Sequence, residues 1–389
     1  MPQQSSFATW RAFLLTFLKT PETRAVGLVF TVLSWCFASW LVHIPHVKST
    51  LGLTDGDLGW VLFSMPIGHL CIAPVSGKIV NRFGAVQACL FTSVLGGLVM
   101  VLPIFSQKIW FLAASLVAFG SILALLDVAV NACAAELSID GHSVFATCHG
   151  MWSIGGVVAS LFAGALLAVG FSEKTHILLA SGLVLGLIWL ISGDLKKVPV
   201  HRSDEKTSGL AQPSRRLVLL IGLGMLMLLA EGLAFDWSGV FLRDCRGATA
   251  AEAAFGFSMF TAGMTVGRFA GDLMISRFGE RRLLPICALV GACGLCLAVV
   301  FPNYLAGLGG FLLLGLGCSL GAPMLFGLSM RLPGVTPAAG LATFATFSFL
   351  AFLGGPPFLG FISDWIGLPA GLLIVAAGLL VAAFISRKI

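Results

Sequence analysis

The tetrapeptide "NRFG", Asn81 to Gly84, returns almost unchanged as "SRFG", Ser276 to Gly279, 195 residues further along the chain. The same offset brings Gly27 onto Gly222, Thr54 and Asp57 onto Thr249 and Glu252, Gly68 onto Gly263, Gly120 onto Gly315 and Ser153 onto Ser348. In a chain with 47 glycines some glycine matches are expected by chance. An Arg-Phe-Gly tripeptide at the same place in both halves is not. Thr54-x-x-Asp57 and Thr249-x-x-Glu252 also read as capping boxes, each opening a helix at the matching point of its half.

The repeated unit is a membrane unit. The chain has 389 residues, of which 58% are hydrophobic and only 10% charged, where a soluble domain carries about 25% charged residues. The apolar residues come in blocks of roughly 20, the length of helix that crosses a hydrocarbon core. Twelve spans are predicted. They include about 25–46, 57–80, 109–135, 144–170, 216–240, 252–276, 304–330 and 338–362. The domain reading is a cytoplasmic N-terminal segment (1–24), a first six-helix bundle (25–194), a polar linker (195–215) and a second six-helix bundle (216–389). Within the first segment, "FATWRAFLLTFLK" (Phe7 to Lys19) has the spacing of a helix lying on the membrane surface. The fold class expected is all-α: two like-oriented six-helix halves, the parallel-repeat design in which a substrate binds at mid-membrane between halves that rock.

Lys and Arg fix the orientation. With the N-terminus inside, the loops on that side collect most of the 23 basic residues, and only Lys48, Lys108, Lys174, Arg243 and Arg246 fall outside. Both termini are therefore expected in the cytoplasm, at a bacterial inner membrane. The net charge of +6 follows from this asymmetry and needs no nucleic-acid partner. Nearly all of the ten cysteines lie inside apolar runs, so they read as small buried hydrophobes and not as a disulfide framework.

The motif loop carries a resemblance. "GKIVNRFG", Gly77 to Gly84, and "GRFAGDLMISRFGERR", Gly267 to Arg282, are similar to the loop signature of the major facilitator superfamily. Gly77, Arg82 and Gly84 match it, with Asn81 where an acid is usual. In the second copy Arg277, Gly279, Arg281 and Arg282 match, with Ser276 at the acid position. "HGMWSIGG" (149–156), "LAEGLAFDW" (229–237), "GCSLGAP" (317–323) and "LAFLGGPPFLG" (350–360) resemble the YbjJ-like branch, related to fucose permease. The resemblance implies a major facilitator fold and a carrier, proton-coupled, without naming the substrate. The Gly-Pro signature of the superfamily's antiporters is absent from "SIGGVVAS" in the fifth span, which favours symport.

The residues that chemistry needs are the polar ones inside spans, because a charge at the bilayer centre costs about 2.5–3.5 kcal/mol and so faces a cavity or the bundle interior. Asp127 lies near mid-membrane with Asn131 one turn away on the same face. We expect Asp127 to take up a proton, and the resemblance adds that fucose-permease-like carriers have a proton-linked carboxylate in this helix. Glu231 and Asp236 in the seventh span are the second candidates, although a spacing of five places them about 140° apart around the helix. Asp236 reads as a cap or interfacial acid. His149, Ser153 and Trp152 open the fifth span; His69 is mid-way along the second; Trp35, Trp40 and Trp237 are candidate cavity-lining residues. His43 and His46 have a metal-like spacing but no further ligand, so no metal is expected. Arg268 and Asp272, at i and i+4, are expected to pair as a structural or gating contact, beside the loop residues Gly77, Asn81, Arg82, Gly84, Arg277 and Gly279. Gly354, Gly355, Pro356 and Pro357 predict a hinge in the eleventh span.

No P-loop, nucleotide-binding glycine pattern or zinc motif is present, so the reading is not an enzyme, with no cofactor. The function expected is secondary active transport of a small polar solute by proton symport. The partners expected are that solute, protons and the lipid bilayer, with the protein a monomer. The alternatives are a proton-driven drug or metabolite exporter and a membrane sensor that binds without flux.

Overall fold

A computed structural model describes residues 13, 15–139, 142–199, 211, 212 and 214–387. The N-terminal stretch up to Ala12 and the linker residues 200–210 thus lie outside the described residues. Of the expected surface helix, Phe13 and Leu15–Lys19 are helical, and Phe17 is buried.

The helices are α1 (Pro21–Leu41), α2 (Ile44–Leu51), α3 (Asp55–Phe83), α4 (Ala85–Val99), α5 (Ile109–Ala135), α6 (Phe145–Ala168), α7 (Glu173–Leu195), α8 (Arg215–Arg246), α9 (Ala250–Phe278), α10 (Glu280–Val300), α11 (Tyr304–Cys318), α12 (Gly321–Ser329), α13 (Pro337–Ile366) and α14 (Leu368–Ser386). A minimal antiparallel pairing of Ser138–Ile139 with His142–Ser143 follows α5. Among the described residues, eleven helical stretches are long and apolar enough to cross a membrane, with Pro21–Leu51 and Tyr304–Ser329 each counted as one. The helix α9 is not among them: it is 29 residues long but carries Glu252, Arg268, Asp272 and Arg277.

Two spans read as continuous are interrupted. The first breaks between Leu41 and Ile44, where Pro45 restarts the helix as α2. The tenth breaks between Cys318 and Gly321. In the eleventh span α13 runs through Pro356 and Pro357 without interruption. The seventh span is longer than expected. Helix α8 continues past residue 240 to Arg246 and ends on Gly247, whose positive φ of 66° closes the helix.

The chain divides into two compact units. One comprises residues 1–40, 64–162 and 170–204; the other comprises 41–63, 163–169 and 205–389. Two short segments of the first half of the sequence, 41–63 and 163–169, group with the second unit.

Each unit contains the repeat in its backbone. In the first, α3 and α5 meet where Gly68 backs onto the Val117 carbonyl and Gly120 onto the Met65 carbonyl. In the second, α9 and α11 meet where Gly263 backs onto the Leu312 carbonyl and Gly315 onto the Phe260 carbonyl. The two contacts of the first unit recur at the 195-residue offset as the two of the second. At each, a Cβ would collide with main-chain atoms, so only glycine allows the helices to approach this closely. The loop motif repeats equally well: Gly84 and Gly279 hold φ values of 88° and 75°, and Arg82 and Arg277 lie over the rings of Phe83 and Phe278 at 5.7 and 5.6 Å. Both capping boxes are formed. The Thr54 amide donates to Asp57 Oδ2 (3.3 Å) and the Asp57 amide to Thr54 Oγ1 (3.1 Å); the Thr249 amide donates to Glu252 Oε2 (2.8 Å) and the Glu252 amide to Thr249 Oγ1 (3.2 Å).

Candidate functional site

In the first unit, helix α5 is apolar for most of its length, and its helical geometry sets Asp127 about 12 Å from the Ala135 end. Asn131 is the next residue on that face. Its Nδ2 donates to Asp127 Oδ1 (3.0 Å) and to the Asp127 main-chain oxygen (2.9 Å). Both side chains are half-buried. Among the described residues no cation pairs with Asp127, so the carboxylate has one amide donor and nothing that cancels its charge.

The same unit holds the aromatic candidates. His149 is exposed near the start of α6, between Phe145 (centroids 4.6 Å) and Phe30 (5.0 Å). Ser153 is buried, and its Oγ donates to the His149 carbonyl (3.4 Å). Trp152 and Trp35 are half-buried; Trp35 packs on Phe162 at 5.4 Å, and Phe162 packs in turn on His176. The Trp35 Nε1 is a buried donor with no acceptor among the described residues. Trp40 is fully packed, and His69 is exposed mid-way along α3.

In the second unit, Glu231 of α8 meets Arg268 of α9, with Nη2 and Oε1 3.7 Å apart. The side chain of Asp272, the expected partner of Arg268, lies outside the described residues. Asp236 does not join them. It is half-buried in the interior of α8, well before the end of the helix at Arg246, and has no hydrogen bond or ion pair among the described residues. Its expected place as a cap is thereby corrected, since the helix runs on for about 15 Å beyond it. Trp237 is buried, with its Nε1 unpartnered among the described residues, as are the hydroxyls of Ser238, Thr261 and Ser348. A donor buried without an acceptor costs about 1–3 kcal/mol.

The structure also shows polar contacts absent from the sequence reading. Lys48 lies between Asp55 and Asp244. Arg24 Nη2 pairs with Asp194 Oδ2 at 2.9 Å. Arg246, which the sequence placed in an outer loop, ends α8 and donates from Nη2 to the carbonyls of Ala298 (2.6 Å) and Val299 (2.8 Å). Only its guanidinium reach and the orphaned C-terminal carbonyls of a later helix point to this contact, and neither is visible in local sequence.

A model of the major facilitator superfamily matches residues 25–244, more than half of the chain. The chain belongs to the major facilitator superfamily. As a member of that superfamily of membrane transporters, it is an integral, multi-pass membrane protein. Among its relatives is an uncharacterized MFS-type transporter of Yersinia pestis, 30% identical over 93% of this chain and 94% of that one. The membrane protein MosC of Rhizobium meliloti is 28% identical, over 92% and 88% of the two chains. Solved superfamily structures share the fold at lower identity. The nucleoside transporter NupG superposes with a TM-score of 0.72 at 14% identity, covering 94% of this chain and 98% of its own. A variant of the Escherichia coli fucose:proton symporter FucP gives 0.60 at 19%, covering 95% and 99%.

Proposed function

We propose that this transporter moves a small polar solute, sugar-like or a similar metabolite, by alternating access, and that a proton travels with it. The observation that carries the reading is the Asp127 carboxylate, set inside an apolar helix with the Asn131 amide as its partner and no cation among the described residues. A charge at such depth is costly, and a bound proton removes it. Glu231 differs, because Arg268 is already placed to offset its charge. The unpartnered indole N–H of Trp35, a half-buried residue, suits an oxygen acceptor of a hydroxyl-bearing solute. That one structural neighbour is a fucose:proton symporter supports the same direction. The asymmetry of Lys and Arg supports a bacterial inner-membrane location with both termini in the cytoplasm. Nothing in this reading requires catalysis, a cofactor or a second copy.

The test is solute-driven proton movement in proteoliposomes, screened across sugars, polyols, organic acids and cationic compounds. One solute is expected to draw protons in the same direction as itself, and Asp127→Asn is expected to abolish that flux while solute binding persists. Proton flow opposite to the solute would make the protein an exporter. Normal coupling in Asp127→Asn would move the proton to Asp236, another span carboxylate without a cation, and Asp236→Asn is the parallel arm.

A further inference from the structure

At the start of α10 and the end of α14 three arginines converge on one shallow cavity. Arg281 and Arg282 lie in the first turn of α10, Arg387 caps α14, and the two helices pack against each other. The cavity, of about 570 Å³, is lined by these three residues with Pro285 and Ile286. All three arginines are exposed, and among the described residues none of their guanidinium groups has a hydrogen bond or ion pair. No carboxylate is among its lining residues that are described. The nearest acid in sequence, Glu280, is already paired with Arg331 at 2.5 Å. Below the arginines the surface turns apolar: Ile286 is 48% exposed, and Phe384, in the last turn before Arg387, is 61% exposed.

A basic rim above exposed aliphatic and aromatic side chains has the layout of a phospholipid, with an anionic headgroup over its acyl chains. Basic pockets between helices on the cytoplasmic side suit such headgroups, and the guanidinium fork matches a phosphate diester. We propose that this cavity is a binding site for one anionic phospholipid of the surrounding leaflet. The repeat supplies an internal comparison. At the 195-residue offset Arg281 and Arg282 correspond to Val86 and Gln87, and Arg387 to Ser192. The first half therefore has the same backbone motif without the three charges. A merely general excess of positive charge on this face would not gather residues from two separate helices at one cavity.

The test is native mass spectrometry of the full chain in detergent, titrated with phosphatidylglycerol and, separately, with phosphatidylcholine of the same acyl chains. Wild type is expected to retain one phosphatidylglycerol in preference to phosphatidylcholine. Arg281→Gln, Arg282→Gln and Arg387→Gln are each expected to reduce that preference about fivefold. The single changes keep the test open if the combined variant does not fold. Arg82→Gln, in the matching loop of the first half, is expected to leave the preference unchanged. Excess inorganic phosphate is expected not to displace the lipid. The proposal is overturned if wild type shows no preference, if Arg82→Gln removes it equally, or if inorganic phosphate displaces the lipid, which would make this a site for free anions.

Discussion

Lys48 Nζ stands 2.5 Å from Asp244 Oδ2, across 196 residues of sequence, and 2.5 Å from Asp55 Oδ1. Asp55 also accepts from the Ser363 hydroxyl, and Thr54 Oγ1 donates to Asp364 (3.3 Å). The ammonium therefore ties α2 to α8, while Asp55 and Thr54 tie the start of α3 to the end of α13. This polar cluster accompanies the grouping of residues 41–63 with the later unit. Exposed isolated pairs contribute about 0.2–1 kcal/mol, and networks with held geometry do better. Lys48→Asp is expected to lower thermal stability, and adding Asp244→Lys to recover part of the loss. The check is a double-mutant cycle by thermal unfolding, with a coupling of about 1 kcal/mol. Additive effects of the two changes would show that the pair is incidental.

The glycine contacts predict a sharp contrast among similar substitutions. Gly120→Ala and Gly315→Ala place a methyl group against the carbonyls of Met65 and Phe260, and each should destabilise its unit by about 1–3 kcal/mol through overpacking. Gly182→Ala meets open space and should be neutral or stabilising, because alanine is the better helix former by about 1 kcal/mol. Thermal unfolding in detergent separates the two cases. Equal shifts at Gly120 and Gly182 would refute the close-approach reading.

Arg268 and Glu231 make a conditional prediction. Arg268→Gln leaves a mostly buried carboxylate without its cation. Removing one partner of a fully buried pair costs about 3–5 kcal/mol. With the Arg268 side chain 34% exposed, solvent screening reduces the expected cost to about 1–2 kcal/mol. Glu231→Gln added to Arg268→Gln should restore stability toward wild type, measured as the midpoint of thermal unfolding. A double variant no better than Arg268→Gln alone would mean that the two groups do not balance each other.

Arg246→Ala should loosen the end of α10. Its guanidinium satisfies two of the carbonyls that any helix leaves orphaned at its C-terminus, and it also lies over the Phe241 ring at 4.6 Å. Hydrogen bonds of a charged donor contribute about 1.5–3 kcal/mol. The expected result is faster amide exchange in the last turn of α10, near residues 297–300, with α11 less affected. Unchanged exchange there would show that solvent replaces the arginine without cost.

What could be read from sequence was what repeats locally. The 195-residue offset, the two capping boxes and the Arg-Phe-Gly loops all rest on short local patterns, and each has its expected geometry. The Asp127–Asn131 contact was legible for the same reason, since i and i+4 share a helix face. Contacts set by tertiary packing were not legible. The Arg268–Glu231 contact joins two helices, and no local spacing pointed to it. The same limit hid Lys48, whose partners come from two other helices. Helix lengths were misjudged where charges were taken as loop markers: Arg243 and Arg246 are helical because Arg246 finds carbonyl acceptors on another helix. The interruptions at residues 42–43 and 319–320 fall inside stretches read as single spans, although His43 and Pro45 mark the first of them.

The helix from Ala250 to Phe278 falls below the apolarity of the other spans, and this bears on how the chain is built. Ribosomal synthesis delivers Glu231 to the membrane before Arg268. An arginine entering lipid alone costs about 2.5–3.5 kcal/mol on insertion scales. The preceding helix, already apolar enough to insert by itself, holds the counter-charge that lowers this cost. Arg215–Arg246 and Ala250–Phe278 are consecutive helices, so the cation of the less apolar one and the carboxylate that offsets it are neighbours along the chain as well as in the fold.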